Sequence, residues 1–105
     1  MKEVIIMVEN PLKIIEKLDL ELFKNVEATQ TLALTDGVLP RKVKLLMAMA
    51  LDASHGTVEG VKALTLQAMK AGATKEEIME TLRVAQYISG AGCVYTAAHA
   101  FKDLF

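Results

Sequence analysis

Three residues near the middle of the chain carry side chains suited to acid–base chemistry: Asp52, His55 and Glu59. On an unbroken helix their i, i+3, i+7 spacing would set a carboxylate, an imidazole and a second carboxylate on one face. An imidazole titrates near neutral pH, so His55 suits proton transfer with Glu59 as its partner. The same side chains are also metal ligands. Against a metal, two histidines far apart in sequence supply too few ligands for a zinc centre, and Gly56-Thr57 interrupts the helical pattern. Neither a metal nor a cofactor is expected. The plainer alternative is a polar bend, in which Glu59 favours the positive end of the helix that follows.

Cys93 is the second candidate. It follows Gly90-Ala91-Gly92 at the expected start of the last helix, where backbone N–H groups would favour a thiolate. A lone Cys beside Val94 is more often a small buried hydrophobe. Tyr95 and His99 stand i, i+4 on the same helix and are read as a hydrogen-bonded structural pair, with His99 also a candidate substrate contact. Arg41, Lys42 and Lys44 cluster at the start of the third helix, against the dipole preference. Arg41 and Lys44 are candidates for holding a substrate carboxylate there, and a solvated charged face is the alternative. Met47, Met49, Met69 and Met79 read as core filling. No glycine-rich phosphate loop and no HExxH zinc motif occurs.

The elements that must position these groups are helices. Asn10-Pro11 reads as N-cap and N1 of a first short helix with Leu12, Ile15 and Leu18 on its apolar stripe. Asp19 reads as the cap of a second, bearing Leu22, Phe23, Val26, Leu32 and Leu34, and Thr35-Asp36-Gly37 as its stop. Pro40 is expected at N1 of the third helix, in which nearly every residue from Val43 to Leu51 is apolar, so that the helix is central. Val61, Leu64, Ala68 and Ala71 stripe the fourth. Gly72 can end it in a left-handed conformation, and Thr74-Lys75-Glu76-Glu77 forms a capping box ahead of Ile78, Leu82 and Ala85. After Ser89-Gly90-Ala91-Gly92 the last helix is expected over Cys93 to Phe101, with Val94, Ala97, Ala98 and Phe101 inward. The short apolar run Val4 to Val8 fits either an extended arm or a frayed helix. The expectation is an all-α, single-domain bundle of about six helices.

Size and composition agree with that reading. The 105 residues suffice for one core, and 52% are hydrophobic while only 5% are aromatic, so Leu, Ile, Val, Met and Ala must fill it. So much apolar surface on a short chain favours a homo-oligomer. A net charge of −1 gives no general field for nucleic acid or an anionic membrane. One cysteine excludes an intrachain disulfide. The opening Met-Lys-Glu-Val-Ile-Ile-Met-Val is too short for a signal peptide, no apolar run spans a bilayer, and a cytoplasmic protein is expected.

The segment Ala63 to Glu80, an Ala-containing helix followed by Gly72-Ala73-Thr74, then Glu76-Glu77-Ile78 and Glu80, resembles the carboxymuconolactone decarboxylase family, which includes the alkylhydroperoxidase D-like proteins. The tail Ser89 to Phe101 is similar to the small-residue segment and last helix of the same proteins, and the resemblance runs from Leu39 to Phe101, with residues 1–38 as N-terminal helices. It implies an all-helical subunit, a ring assembly of three or six copies, and a site near subunit contacts. Redox-active members carry Cys-x-x-Cys, a His four residues on, and an assisting Glu. Counted back from Gly72, those positions are Thr57, Gly60, Leu64 and Leu45, and all four are replaced. The decarboxylase branch keeps a His where Leu64 stands. A two-thiol peroxidase cycle needs a nucleophilic and a resolving thiol, so it is not expected here. The resemblance points to a lyase-type enzyme on a small organic acid or lactone, using His55 and Glu59. The alternatives are an antioxidant protein using Cys93 or a partner's thiol, and a non-catalytic oligomeric binding module.

Overall fold

Helix ends in this chain follow its capping chemistry. The computed structural model describes residues 10–105, and among them the chain forms six α-helices: α1 Lys13–Leu18, α2 Leu20–Leu34, α3 Arg41–Ser54, α4 Val58–Lys70, α5 Lys75–Ser89 and α6 Gly92–Phe101. The run Val4 to Val8 lies outside the described residues. The helices fall into two units, one ending at Thr35 and the other running Asp36–Phe105. No helix among the described residues is long and apolar enough to cross a membrane.

In the first unit, Asn10 Oδ1 accepts from the Leu12 N–H at 3.0 Å, so Asn10 does cap a turn. Regular α-helix begins only at Lys13, two residues beyond the expected start. Asp19 caps α2, its carboxylate accepting from the Leu22 N–H at 3.0 Å. Of the α2 stripe only Phe23 is buried, and Leu32 is 83% exposed.

The second unit begins at a corner where the expectation for Pro40 fails. Pro40 is extended (φ −68°, ψ 154°) and is the N-cap, with Arg41 as the first helical residue. Its carbonyl accepts from the Lys44 N–H at 3.2 Å, while the Asp36 carboxylate accepts from the Arg41 N–H. α3 packs against α4, α5 and α6, the central place its all-round apolarity predicts. Leu45, Met49, Val61, Ala68, Ile78, Ala97 and Ala100 are wholly buried. On the outer side of α3, Met47 and Leu51 are 50% and 60% exposed.

The turn at Gly72 forms as its residues require. The Ala73 N–H donates to the Ala68 carbonyl at 2.9 Å and the Gly72 N–H to that of Met69 at 3.0 Å, a Schellman stop with Gly72 at φ +104°. Thr74 and Glu77 then complete the capping box in both directions, at 3.1 and 2.9 Å. Ile78, Leu82 and Ala85 are buried as expected. On α4 the inward stripe is Val61, Thr65 and Ala68, with Leu64 half-buried and Ala71 exposed. On α6 the expected face is half right. Ala97 and Phe101 are inward, but Val94 and Ala98 are exposed, and Cys93 and Ala100 take their places. The period is the same; the small Cys93, Ala97 and Ala100 let α6 approach its neighbours closely, and packing chooses that stripe.

Candidate functional site

The corner between α3 and α4 is a second Schellman stop. His55 ends α3, Gly56 turns at φ +77°, and the Gly56 and Thr57 N–H groups donate to Ala53 and Asp52 carbonyls at 3.2 and 3.0 Å. The chain reverses before α4 begins at Val58. The single helical face proposed for Asp52, His55 and Glu59 is therefore not formed, because the helix it needs is broken at Gly56. His55 and Glu59 are exposed, and Asp52 is half-buried. Among the described residues no group of three or more His, Cys, Asp or Glu is placed to hold a metal ion.

The Asp52 side chain nevertheless has a defined place. A Cβ added at Gly60 would collide with its Oδ2 and lie 2.9 Å from its Cγ, so the carboxylate fills the space a side chain at Gly60 would take. It lies against the first turn of α4, where the helix dipole favours negative charge. Glu59 is on that turn too. The corner thus gathers two acids and an imidazole around the start of α4, one of them partly buried and two open to solvent.

Lys62, one turn beyond Glu59 on α4, was not legible as a site residue. Its Nζ lies 2.8 Å from Asp103 Oδ2, in the segment after α6, with the two side chains 22% and 50% exposed. The hydrogen bond to Asp103 holds the Lys62 pKa above its ordinary value; desolvation opposes this, and the charges of Asp103 and Glu59 add to it. The same bond holds the Asp103 carboxyl below its usual value. The i, i+3 spacing of Glu59 and Lys62 was the available signal. Nothing local in the sequence announces Asp103 as the partner, 41 residues away.

The remaining candidates lie elsewhere. Arg41 and Lys44 are at the far end of α3 from His55, a helix of 14 residues and so about 20 Å long. Arg41 donates to Gln67 Oε1 at 3.4 Å. They share no site with His55 within one chain. His99 is exposed on α6, as is Tyr95 at 71%, so the pair is a surface feature. Cys93 is 3% exposed and its thiol donates to the Gly90 carbonyl at 3.2 Å.

An open groove of about 350 Å³ runs between α3 and α5, with Val43, Leu46 and Val84 as its apolar lining. Lys42 and Glu77 bridge it at 3.0 Å. Glu77 titrates below its ordinary value, chiefly because it accepts the Thr74 N–H and then because of Lys42. Both groups are thus committed to structure: Glu77 caps α5 and Lys42 ties α3 to it.

With this geometry in place, the comparisons with known proteins become specific. The model of the carboxymuconolactone decarboxylase family matches residues 21–103, reaching back into α2. A crystal structure of a carboxymuconolactone decarboxylase family protein from Legionella pneumophila, in its apo form, matches with a TM-score of 0.82 and 30% identity, over 96% of this chain and 87% of that one. No curated protein matches the sequence. At the four positions where the resemblance places the redox apparatus, Leu45 is wholly buried and Leu64 half-buried. Thr57 is exposed, and the Gly60 position is occupied by the carboxylate of Asp52. The chain carries one cysteine and no cysteine pair.

Proposed function

Since this chain belongs to the carboxymuconolactone decarboxylase family, we propose that it is a thiol-independent member acting on a small organic acid or lactone by acid–base chemistry at the α3–α4 corner. The observation that carries the reading is the Asp52 carboxylate standing where Gly60 lacks a side chain. The corner presents carboxylates and an imidazole in place of thiols. Decarboxylation of a lactone acid breaks the bond to the carboxylate, leaves its electron pair in an enolate, and needs a proton returned to carbon. His55 returns that proton, Glu59 restores it to His55, and Asp52 holds the start of α4 in register. Turnover of a carboxylated muconolactone tests this. His55→Gln and Glu59→Gln should each lower kcat by about 10²- to 10⁴-fold. Unchanged rates in both would overturn the reading.

The site is completed by assembly into a cytoplasmic homo-oligomer of three or six copies. Exposed apolar residues support this: Met47 and Leu51 on α3, Val84, Tyr87 and Ile88 on α5, and Tyr95 on α6. Arg41, Lys44 and His99 enter such a site only from a neighbouring copy. Tyr87→Glu with Ile88→Glu should yield monomers by light scattering, and an unchanged mass would remove this surface from the interface.

A non-catalytic binding role is favoured by one observation, that Leu45 and Leu64 fill positions where enzymatic relatives by resemblance carry a Glu and a His. A measurable turnover that depends on His55 decides against it. Peroxide reduction through Cys93 is the weakest reading, because the thiol is buried and already bonded. Intact mass after mild peroxide should show Cys93 unmodified.

A further inference from the structure

We propose that Lys62 is the carboxylate anchor of this corner and that Asp103 occupies it as an internal stand-in, so that an incoming organic acid displaces the protein's own side chain. The inference rests on the acid-substrate reading above and adds the group that would recognise the acid.

Lys62 has the right position. It follows Gly60 by two residues and Glu59 by three, within the first two turns of α4. Arg41 and Lys44 stand at the far end of α3. Its ammonium is also placed to bind a carboxylate, because it already binds one at 2.8 Å. With 22% exposure, the Lys62 side chain is largely covered while its amine meets the Asp103 carboxylate.

Asp103 has the features of a displaceable occupant. It is 50% exposed and sits in the short segment after α6, which turns back on Phe101 through the Leu104 and Phe105 N–H groups at 2.8 and 2.9 Å. The Phe105 ring meets Phe101 edge-on at 5.6 Å. These contacts hold the segment near Lys62 without using the Asp103 carboxylate, so that carboxylate can leave while the segment stays. The ion pair between Lys42 and Glu77 is built differently. Glu77 of the Lys42–Glu77 pair also caps α5, so losing it would undo a helix start. A pair with one partner half open to solvent is screened and contributes modestly to stability, which leaves Lys62 available to a competing carboxylate.

Succinate is the probe, titrated into the full-length protein at constant ionic strength with chloride as the control anion. Binding is followed by calorimetry and by the ¹³C resonance of the Lys62 Cε. Succinate should move that resonance. Asp103→Asn should tighten binding about threefold, the scale expected when an exposed intramolecular competitor is removed. Lys62→Met should weaken it at least about tenfold, the loss expected for a charged hydrogen-bond partner, and Lys62→Arg should retain it. A structural latch alone would lower the melting temperature of Asp103→Asn without tightening succinate. That result, or wild-type affinity in Lys62→Met, would overturn the proposal. If Asp103→Asn folds poorly, the Lys62→Met and Lys62→Arg pair decides the matter. His55→Gln should bind succinate normally. Wild-type protein that binds succinate at Lys62 but turns over no lactone acid would fail the acid–base reading alone, and turnover without that binding would fail this proposal alone.

Discussion

At Gly56 and at Gly72 the backbone stops a helix in the same way. Both glycines have positive φ, at 77° and 104°, and both stops close with the two Schellman bonds. The helix starts that follow differ. Thr74 accepts from the Glu77 N–H and Glu77 accepts in return, so α5 begins with its orphan amides satisfied. Thr57 makes no side-chain cap, and α4 begins with Asp52 packed against Gly60 and with Glu59 exposed. One reversal is finished for stability. The other has no side-chain cap on its helix start and sets a carboxylate against the first turn instead. By the resemblance, two of the redox positions of thiol-bearing relatives, Thr57 and Gly60, fall at this second corner, where this chain has no thiol.

The shared stop can be broken first. Gly72→Ala forces a Cβ into a left-handed conformation and should cost about 1–2 kcal/mol; Gly56→Ala, nearer the ordinary left-handed region, should cost about 1 kcal/mol. A Cβ meets nothing within 4 Å at either site, so the cost is one of backbone dihedral. Urea midpoints measure both. Acceptance of Ala without loss at either position would contradict the common geometry.

Breaking the starts should separate the two reversals. Thr74→Ala should lose about 1 kcal/mol, whereas Thr57→Ala should stay within about 0.5 kcal/mol. Comparable losses would mean that Thr57 caps α4 after all.

The Asp52–Gly60 contact sharpens the comparison further. Ala is a better helix former than Gly by about 1 kcal/mol. Gly60→Ala should forfeit that gain in the wild type by evicting Asp52, and recover most of it when Asp52→Ala is present. A double-mutant cycle reads the coupling; simple additivity would show that the carboxylate has no fixed place there.

The smallest effect concerns pH. The Glu77 pKa is depressed in the folded protein, so its contribution is present above the unfolded carboxyl value of about 4.3 and is lost as pH falls through the lower folded value. Stability should decline less steeply on acidification in Glu77→Gln. An unchanged slope in Glu77→Gln would show that the capping carboxylate carries no pH-dependent stability at the start of α5.

Much of this fold was legible because its signals are local. The Gly72 stop, the Thr74–Glu77 box and the stripe Ile78, Leu82 and Ala85 each depend on residues within two turns of one another. Their order in the chain determines them. The break at Gly56 was visible in the same way, and it argued against the continuous helix that the Asp52, His55, Glu59 spacing invited. Pro40 was misplaced by one residue because Asp36 supplies the bond that settles Arg41 as the first helical residue.

What the sequence determined by itself is an all-helical chain, the positions of its reversals and the lack of a thiol pair, since these follow from backbone preference and residue count. Tertiary structure decided the rest. Which stripe of α6 turns inward, which carboxylate fills the space at Gly60 and which acid meets Lys62 are questions of packing among helices. Contacts between distant segments depend on how whole helices approach one another, and no spacing along the chain encodes that approach.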